Sequence, residues 1–343
     1  MVSLLRIVQP GVFSLLGAAA SLTLMVPPST ATQESLLSVT PDVLLAQGSI
    51  ADLGIAAGEG LLAEAEVAID SQNYDLAIRK LQEAREILNE TSTSYQSIGA
   101  AFTGIDSEIS SSLRDNARDA AQMRDQATLR QALIYRAQGQ ASLSVPLLIE
   151  IVQSQGPARD LGLDAYRQLF ELGFVSRPYR RTGSEDPSEA VADAARPLNQ
   201  DDSPIGIAAA EILIADGNAA MASGDYVTAA TRLQDARETL NTSSSYYQSL
   251  FNTFKGIDTR ISNEARQKAL EAAQLRDEAT LQLARAYQGQ QRSSLAIPLL
   301  VEVLDSQNPT RDLGKQAYDQ LLEIGFVAQP YVVNEETANS NEQ

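Results

Sequence analysis

Residues 226–240 read Tyr-Val-Thr-Ala-Ala-Thr-Arg-Leu-Gln-Asp-Ala-Arg-Glu-Thr-Leu. Tyr226, Ala229, Ala230, Leu233, Ala236 and Leu240 recur at three- and four-residue steps. That is the stripe one face of a helix turns toward a neighbour. Ser223-Gly224-Asp225 precedes the stripe and reads as a turn. Upstream of the turn, Ile207 to Met221 carries apolar residues at the same helical spacing. The pattern predicts two helices joined by a short turn, with alanines where the pair packs.

The stretch has a double. Residues 74–88 repeat it with Tyr74, Ala77, Leu81 and Ala84 in the same places, offset by 152. The match runs without a gap from Ser71–Tyr179 onto Ser223–Tyr331. It includes Pro-Leu-Leu-x-Glu at Pro146 and Pro298, and Gly-Phe-Val-x-x-Pro-Tyr at Gly173 and Gly325. Roughly half of the paired positions are identical, far above chance for a repeat of this length. The expected fold is all-α: two tandem copies of a five- to six-helix unit. Unit one spans 53–179 and unit two 205–331, joined by a linker over 180–204. A signal peptide (1–31) and a polar leader (32–52) precede them, and a disordered tail (332–343) follows.

Local signals place further boundaries. Asn241 and the Thr/Ser run after it are expected to stop the second helix of unit two. A third helical stretch starts near Tyr246, breaks near Gly256-Ile257-Asp258, and continues into Ala269–Tyr287. Ser293-Ser294 are expected to cap the next helix, with Pro298 in or near its first turn, where a missing N–H costs little. Asn308-Pro309 starts the last helix, and Gly325 ends it as a left-handed residue.

The hairpins resemble the tetratricopeptide family, whose unit is two helices with small residues at fixed packing positions. In unit two the resemblance rests on Gly217, Gly224, Tyr226, Ala229, Leu233 and Ala236. In unit one it rests on Ala65, Tyr74, Ala77, Leu81 and Ala84, with Gln72 replacing the turn glycine. A looser second hairpin follows through Ala284, Tyr287, Ala296 and Leu300, matched by Ala132, Tyr135 and Leu148. There Ser144 stands where alanine is expected. Between the hairpins lies an extra helical insertion, about 95–118 and 247–270, so the usual tandem period is broken. The resemblance implies binding of a protein partner in a groove lined mainly by the first helix of each hairpin. It points to Gln126, Leu133 and Arg136 in unit one and to Glu278, Arg285 and Gln288 in unit two. Phe251, which faces Gly99 of the other copy in the alignment, is a further candidate because the copies disagree there.

Composition narrows the chemistry. The 343 residues contain no Cys, His or Trp, which removes thiolate and imidazole metal sites, disulfides and His-dependent triads. No cofactor is expected, and no phosphate-binding glycine loop or calcium loop is present in the sequence. The formal charge of −18 disfavours nucleic acid and anionic membrane surfaces as partners. Arg6 followed by the apolar run from Val12 to Val26, then Pro27-Pro28 and small residues, reads as a secretory signal too short to span a membrane. Export to a periplasm or a thylakoid lumen follows from that reading, with no stable membrane insertion after signal removal.

Pairs such as Arg124-Asp125 and Arg276-Asp277 recur in both copies. They read either as a duplicated polar site or as salt bridges between helices. Repeated aromatics, Tyr179 and Tyr331 among them, read as packing and end caps more readily than as a groove lining. The expected function is a non-catalytic protein-binding or scaffolding module. The alternative is a self-assembling envelope protein. A carboxylate-dependent hydrolase acting on an envelope polymer is a distant third.

Overall fold

A computed structural model describes residues 54–180, 198 and 205–331. The expected signal segment, the leader and the tail lie outside the described residues, as does the linker apart from Arg180 and Leu198. Among the described residues there are ten long helices and no strand. Unit one holds α1 (Ile55–Asp70), α2 (Tyr74–Ala101), α3 (Ser107–Ala137), α4 (Ala141–Gln155) and α5 (Asp160–Leu172). Unit two holds α6 (Gly206–Ala222), α7 (Tyr226–Phe254), α8 (Thr259–Gly289), α9 (Ser293–Gln307) and α10 (Asp312–Glu323). Within each unit a helix packs chiefly on the next, and across the junction α4 meets α7.

The second helix of each unit does not stop where the sequence suggests. Both α2 and α7 run straight through the Asn-x-Thr/Ser segment, to 28 and 29 residues. Hydroxyls that disfavour a lone helix are satisfied here without breaking it. Ser243 Oγ donates to the Thr239 carbonyl at 2.8 Å, and Thr253 Oγ1 donates to the Ser249 carbonyl at 2.9 Å. Others cross to the facing helix: Ser92 Oγ reaches the Ala117 carbonyl at 2.8 Å, and Ser244 Oγ reaches that of Ala269 at 3.2 Å. The insertion is therefore an extension of two helices into one long hairpin arm. The break near 256–258 is where the arm turns: Asp258 caps α8 by accepting from the N–H groups of Arg260 and Ile261.

Two helix starts also shift. Ser293 is the first residue of α9, behind Arg292, and no side chain caps that end. Pro298 is thus the sixth helical residue, not a first-turn residue, and its counterpart Pro146 sits likewise in α4. Asn308 closes α9 in a left-handed conformation (φ 62°), and the last helix begins only at Asp312. The glycine stop holds in both units. Gly173 and Gly325 take φ 90° and 74°. The N–H of Phe174 bonds the Leu169 carbonyl at 3.0 Å, and that of Phe326 bonds the Leu321 carbonyl at 2.9 Å. These six-to-one bonds make the same closed cap twice.

Small residues set the hairpin spacing. A Cβ on Gly217 would lie 2.7 Å from Leu233, and Ala65 at the matching position is fully buried. Ser144 is fully buried where unit two has Ala296, and its hydroxyl donates to the Ala132 carbonyl on α3 at 2.9 Å. Burial of that hydroxyl is tolerable because it is paired.

The cores are staggered against the repeat. One cluster fills the front of unit one, between α1, α2 and α3, around Leu62, Leu81 and Leu88. The largest joins the back of unit one (Leu148, Tyr166, Phe174) to the front of unit two (Leu233, Tyr247, Phe254). A third fills the back of unit two around Leu300 and Leu321. The two copies therefore share one hydrophobic core.

Candidate functional site

The shared core is closed by aromatic rings. Phe174, in the cap after α5, stacks on Tyr247 of α7 with centroids 5.0 Å apart and planes 8° apart. Tyr166 and Tyr179 bracket Phe254 at 4.7 and 5.3 Å. The Tyr247 hydroxyl donates to the Phe174 carbonyl at 3.3 Å. Burial, with Glu271 and Glu264 nearby, pushes that phenol far above its ordinary range. Outside the rings a polar latch crosses the junction: Arg177 Nε pairs with Glu264 at 2.7 Å, and Ser176 donates to the same carboxylate.

Beside this junction lies a cleft of about 360 Å³ to which both units contribute. Ser142 and Phe174 of unit one form one side; Asp235, Glu238, Thr239 and Tyr246 of α7 form the other. Pro146 has no N–H to give the carbonyl four residues back, so Ser142 at the cleft edge loses its intrahelical donor. The cleft joins an aromatic wall to two exposed carboxylates, a lining that suits a cationic or aromatic side chain of a partner. Burial raises the Tyr246 phenol, so Tyr246 is a neutral hydrogen-bonding group at any physiological pH.

The recurring Arg-Asp pairs are structural clamps. Asp125 is wholly buried and accepts from Ser154 and Gln155 of α4, each at 2.5 Å, while Arg124 pairs with it at 2.8 Å. Asp277 repeats this with Ser306, Gln307 and Arg276. A second clamp joins α2 to α4 through Arg85 and Glu150 at 2.8 Å, matched by Arg237 and Glu302. These carboxylates hold helices together, and the unit-two clamps also border an open polar cleft of about 310 Å³ lined by Arg237, Arg276 and Glu302.

The residues singled out for the groove do not gather in one place. Arg136 pairs with Glu171 at 2.6 Å and also bonds Gln168, both on α5. Gln288 donates to Gln320, and Arg285 to Gln316, both on α10. These three are engaged between helices. Leu133 is exposed and Gln126 half-buried, both on α3. Glu278 lines an open cleft of about 380 Å³ with Glu211 and Asp312. Phe251 lies on α7 instead, half-buried against the shared core, with Lys255 5.9 Å above its ring. Sequence reasoning missed Asp235 and Tyr246, while Glu238 entered it only as half of the recurring Arg237-Glu238 pair. The only signal was difference: Tyr246 faces Ser94, and Thr239 faces Ile87, in the other copy.

No protein-family model matches the chain, and no curated protein matches it. Among solved structures, the TPR domain of P58(IPK) is similar at 15% identity over 84% of this chain and 69% of that one, with a TM-score of 0.18. The TPR2AB domain of yeast Sti1, solved in a complex with pHSP90, is similar at 15% identity over 77% of this chain and 98% of that one, with a TM-score of 0.15. Neither superposition is close enough to transfer a residue role. What the described residues show by themselves is an all-α protein whose ten helices fall into two matching sets of five.

Proposed function

We propose that this chain is an exported, non-catalytic scaffold that holds a segment of another protein in the cleft between its two units. The observation that carries the reading is the junction cleft, built jointly from Phe174, Tyr246, Asp235 and Glu238. A rigid helical frame surrounds it, so little ordering entropy is spent on binding. An acidic chain with carboxylates at an aromatic cleft favours a segment carrying Lys or Arg, which would gain both ion pairing and ring contact. Leu133, Gln126 and Glu278 would contribute outlying contacts. The apolar run near the chain start supports export to a periplasm or thylakoid lumen, where the partner is to be sought.

The test is capture from the protein's own compartment, with the wild type and Glu238→Arg as paired baits. Glu238 is exposed, so the change should leave folding intact. Recovery of a specific partner should fall about tenfold on reversing this charge. No partner above control, or recovery indifferent to the reversal, overturns the reading.

A further inference from the structure

The internal junction has two halves, and each half occurs a second time, exposed among the described residues. The cap that docks, around Phe174, recurs as the cap around Phe326. The arm that receives it, around Tyr247, Leu250 and Ile261, recurs in unit one as Tyr95, Ile98 and Ile109. Exposure shows which halves are matched. Phe174 is 7% exposed and Phe326 57%. Leu250 and Ile261 are 1% and 4% exposed, against 46% for Ile98 and 41% for Ile109.

The unmatched cap already has the docked shape. The Tyr318 hydroxyl donates to the Gln329 carbonyl at 2.8 Å, as that of Tyr166 does to the Arg177 carbonyl at 2.9 Å. Tyr318 and Tyr331 meet edge-on at 6.1 Å, as Tyr166 and Tyr179 do at 6.3 Å. The unmatched arm also carries an incomplete cleft. Its wall of Glu83, Glu86 and Ile87 corresponds to Asp235, Glu238 and Thr239, yet among the described residues it is lined by α1 and α2 alone. The side that Ser142 and Phe174 supply in unit two is missing there. Ser294 and Phe326 of another molecule are the residues that would supply it.

We propose that a second copy of this chain is the occupant: the Phe326 cap of one molecule docks on the Tyr95–Ile109 arm of the next, repeating the internal junction between chains. The contact is heterologous, cap to arm, so every added molecule again presents a free cap and a free arm. Growth is head to tail, in the same sense as the unit-one-to-unit-two step. The intermolecular joint is weaker than the internal one for a visible reason. The Arg177–Glu264 latch has no counterpart, because Gln329 and Ser112 stand in those places. This inference rests on the duplicated junction and not on partner capture, so either can fail alone.

Sedimentation velocity over a micromolar-to-millimolar concentration series tests it. The purified wild type should show a rising series of species beyond a dimer. Phe326→Asp, which blocks the cap, and Ile98→Asp, which blocks the arm, should each leave monomers; Ile109→Asp replaces the latter if its melting curve shows misfolding. Mixed in equal amounts, the cap-blocked and arm-blocked proteins should form a dimer that does not grow, since one free cap meets one free arm. Installing the latch with Ser112→Glu and Gln329→Arg should tighten association about tenfold. A monomer at all concentrations with and without the latch overturns the proposal. So does association that survives both blocks, or a mixture that stays monomeric.

Discussion

Phe174 and Phe326 occupy the same cap, close the same helix and follow the same glycine, yet one is buried against a tyrosine and the other faces solvent. The arm tells the same story from the other side, with Tyr247 buried and Tyr95 only half so. What differs is position in the stack, because a repeat buries its end only when a neighbour follows. Two closely related surfaces thus become core in one place and, among the described residues, stay exposed in the other.

Removing each ring should break the equality most visibly. Phe174→Ala empties a site in the shared core and is expected to cost about 3–5 kcal/mol. Phe326→Ala removes a ring that packs on little and should stay within about 0.5 kcal/mol. Urea denaturation at low protein concentration, where chains do not associate, measures both. Equal costs would mean that the junction adds nothing to the stability of the cap.

The buried clamps provide the opposite comparison, since here the two units are alike. Asp125→Ala and Asp277→Ala each strand a buried arginine contact and two side-chain donors. Each should cost about 3 kcal/mol, and the two values should agree. A large difference between them would show that the surroundings, and not the clamp, set the cost.

Much of this frame was legible in the sequence, and the rest was hidden for identifiable reasons. Tyr74, Ala77, Leu81 and Ala84 reveal a helix because their spacing is local and their neighbours are polar. The continuation of α2 and α7 was hidden because Ser92, Ser244 and their neighbours are weak helix formers in isolation. Only the facing carbonyls of Ala117 and Ala269 make those hydroxyls an asset. Pro146 and Pro298 read as first-turn residues because no strong cap marks where α4 and α9 start. The junction was hidden more deeply. Phe174 and Phe326 are identical, so nothing at those positions says which is covered. The trace lay in a pair: Arg177 and Glu264 carry charge where Gln329 and Ser112 do not. Such a pair becomes meaningful only once the structure brings residues 87 positions apart into contact.

The smallest effect concerns the turns, where the copies exchange roles. The first turn uses Gln72 (φ 59°) in unit one and Gly224 (φ 79°) in unit two. The second uses Gly139 (φ 71°) in unit one and Gln291 (φ 60°) in unit two. A left-handed conformation costs a side-chain-bearing residue about 1–2 kcal/mol, which glycine avoids. Glycine in turn has more freedom to lose on folding, which offsets about 0.4–1 kcal/mol of that gain. Gln72→Gly and Gln291→Gly should each therefore stabilise the protein by about 0.5 kcal/mol, and Gly224→Gln should destabilise it by a similar amount. Paired melting curves of the three variants read the sign directly. A loss of stability in Gln72→Gly alone would show that its side chain makes an interaction in unit one that outweighs the backbone strain, and the two turns would no longer be equivalent.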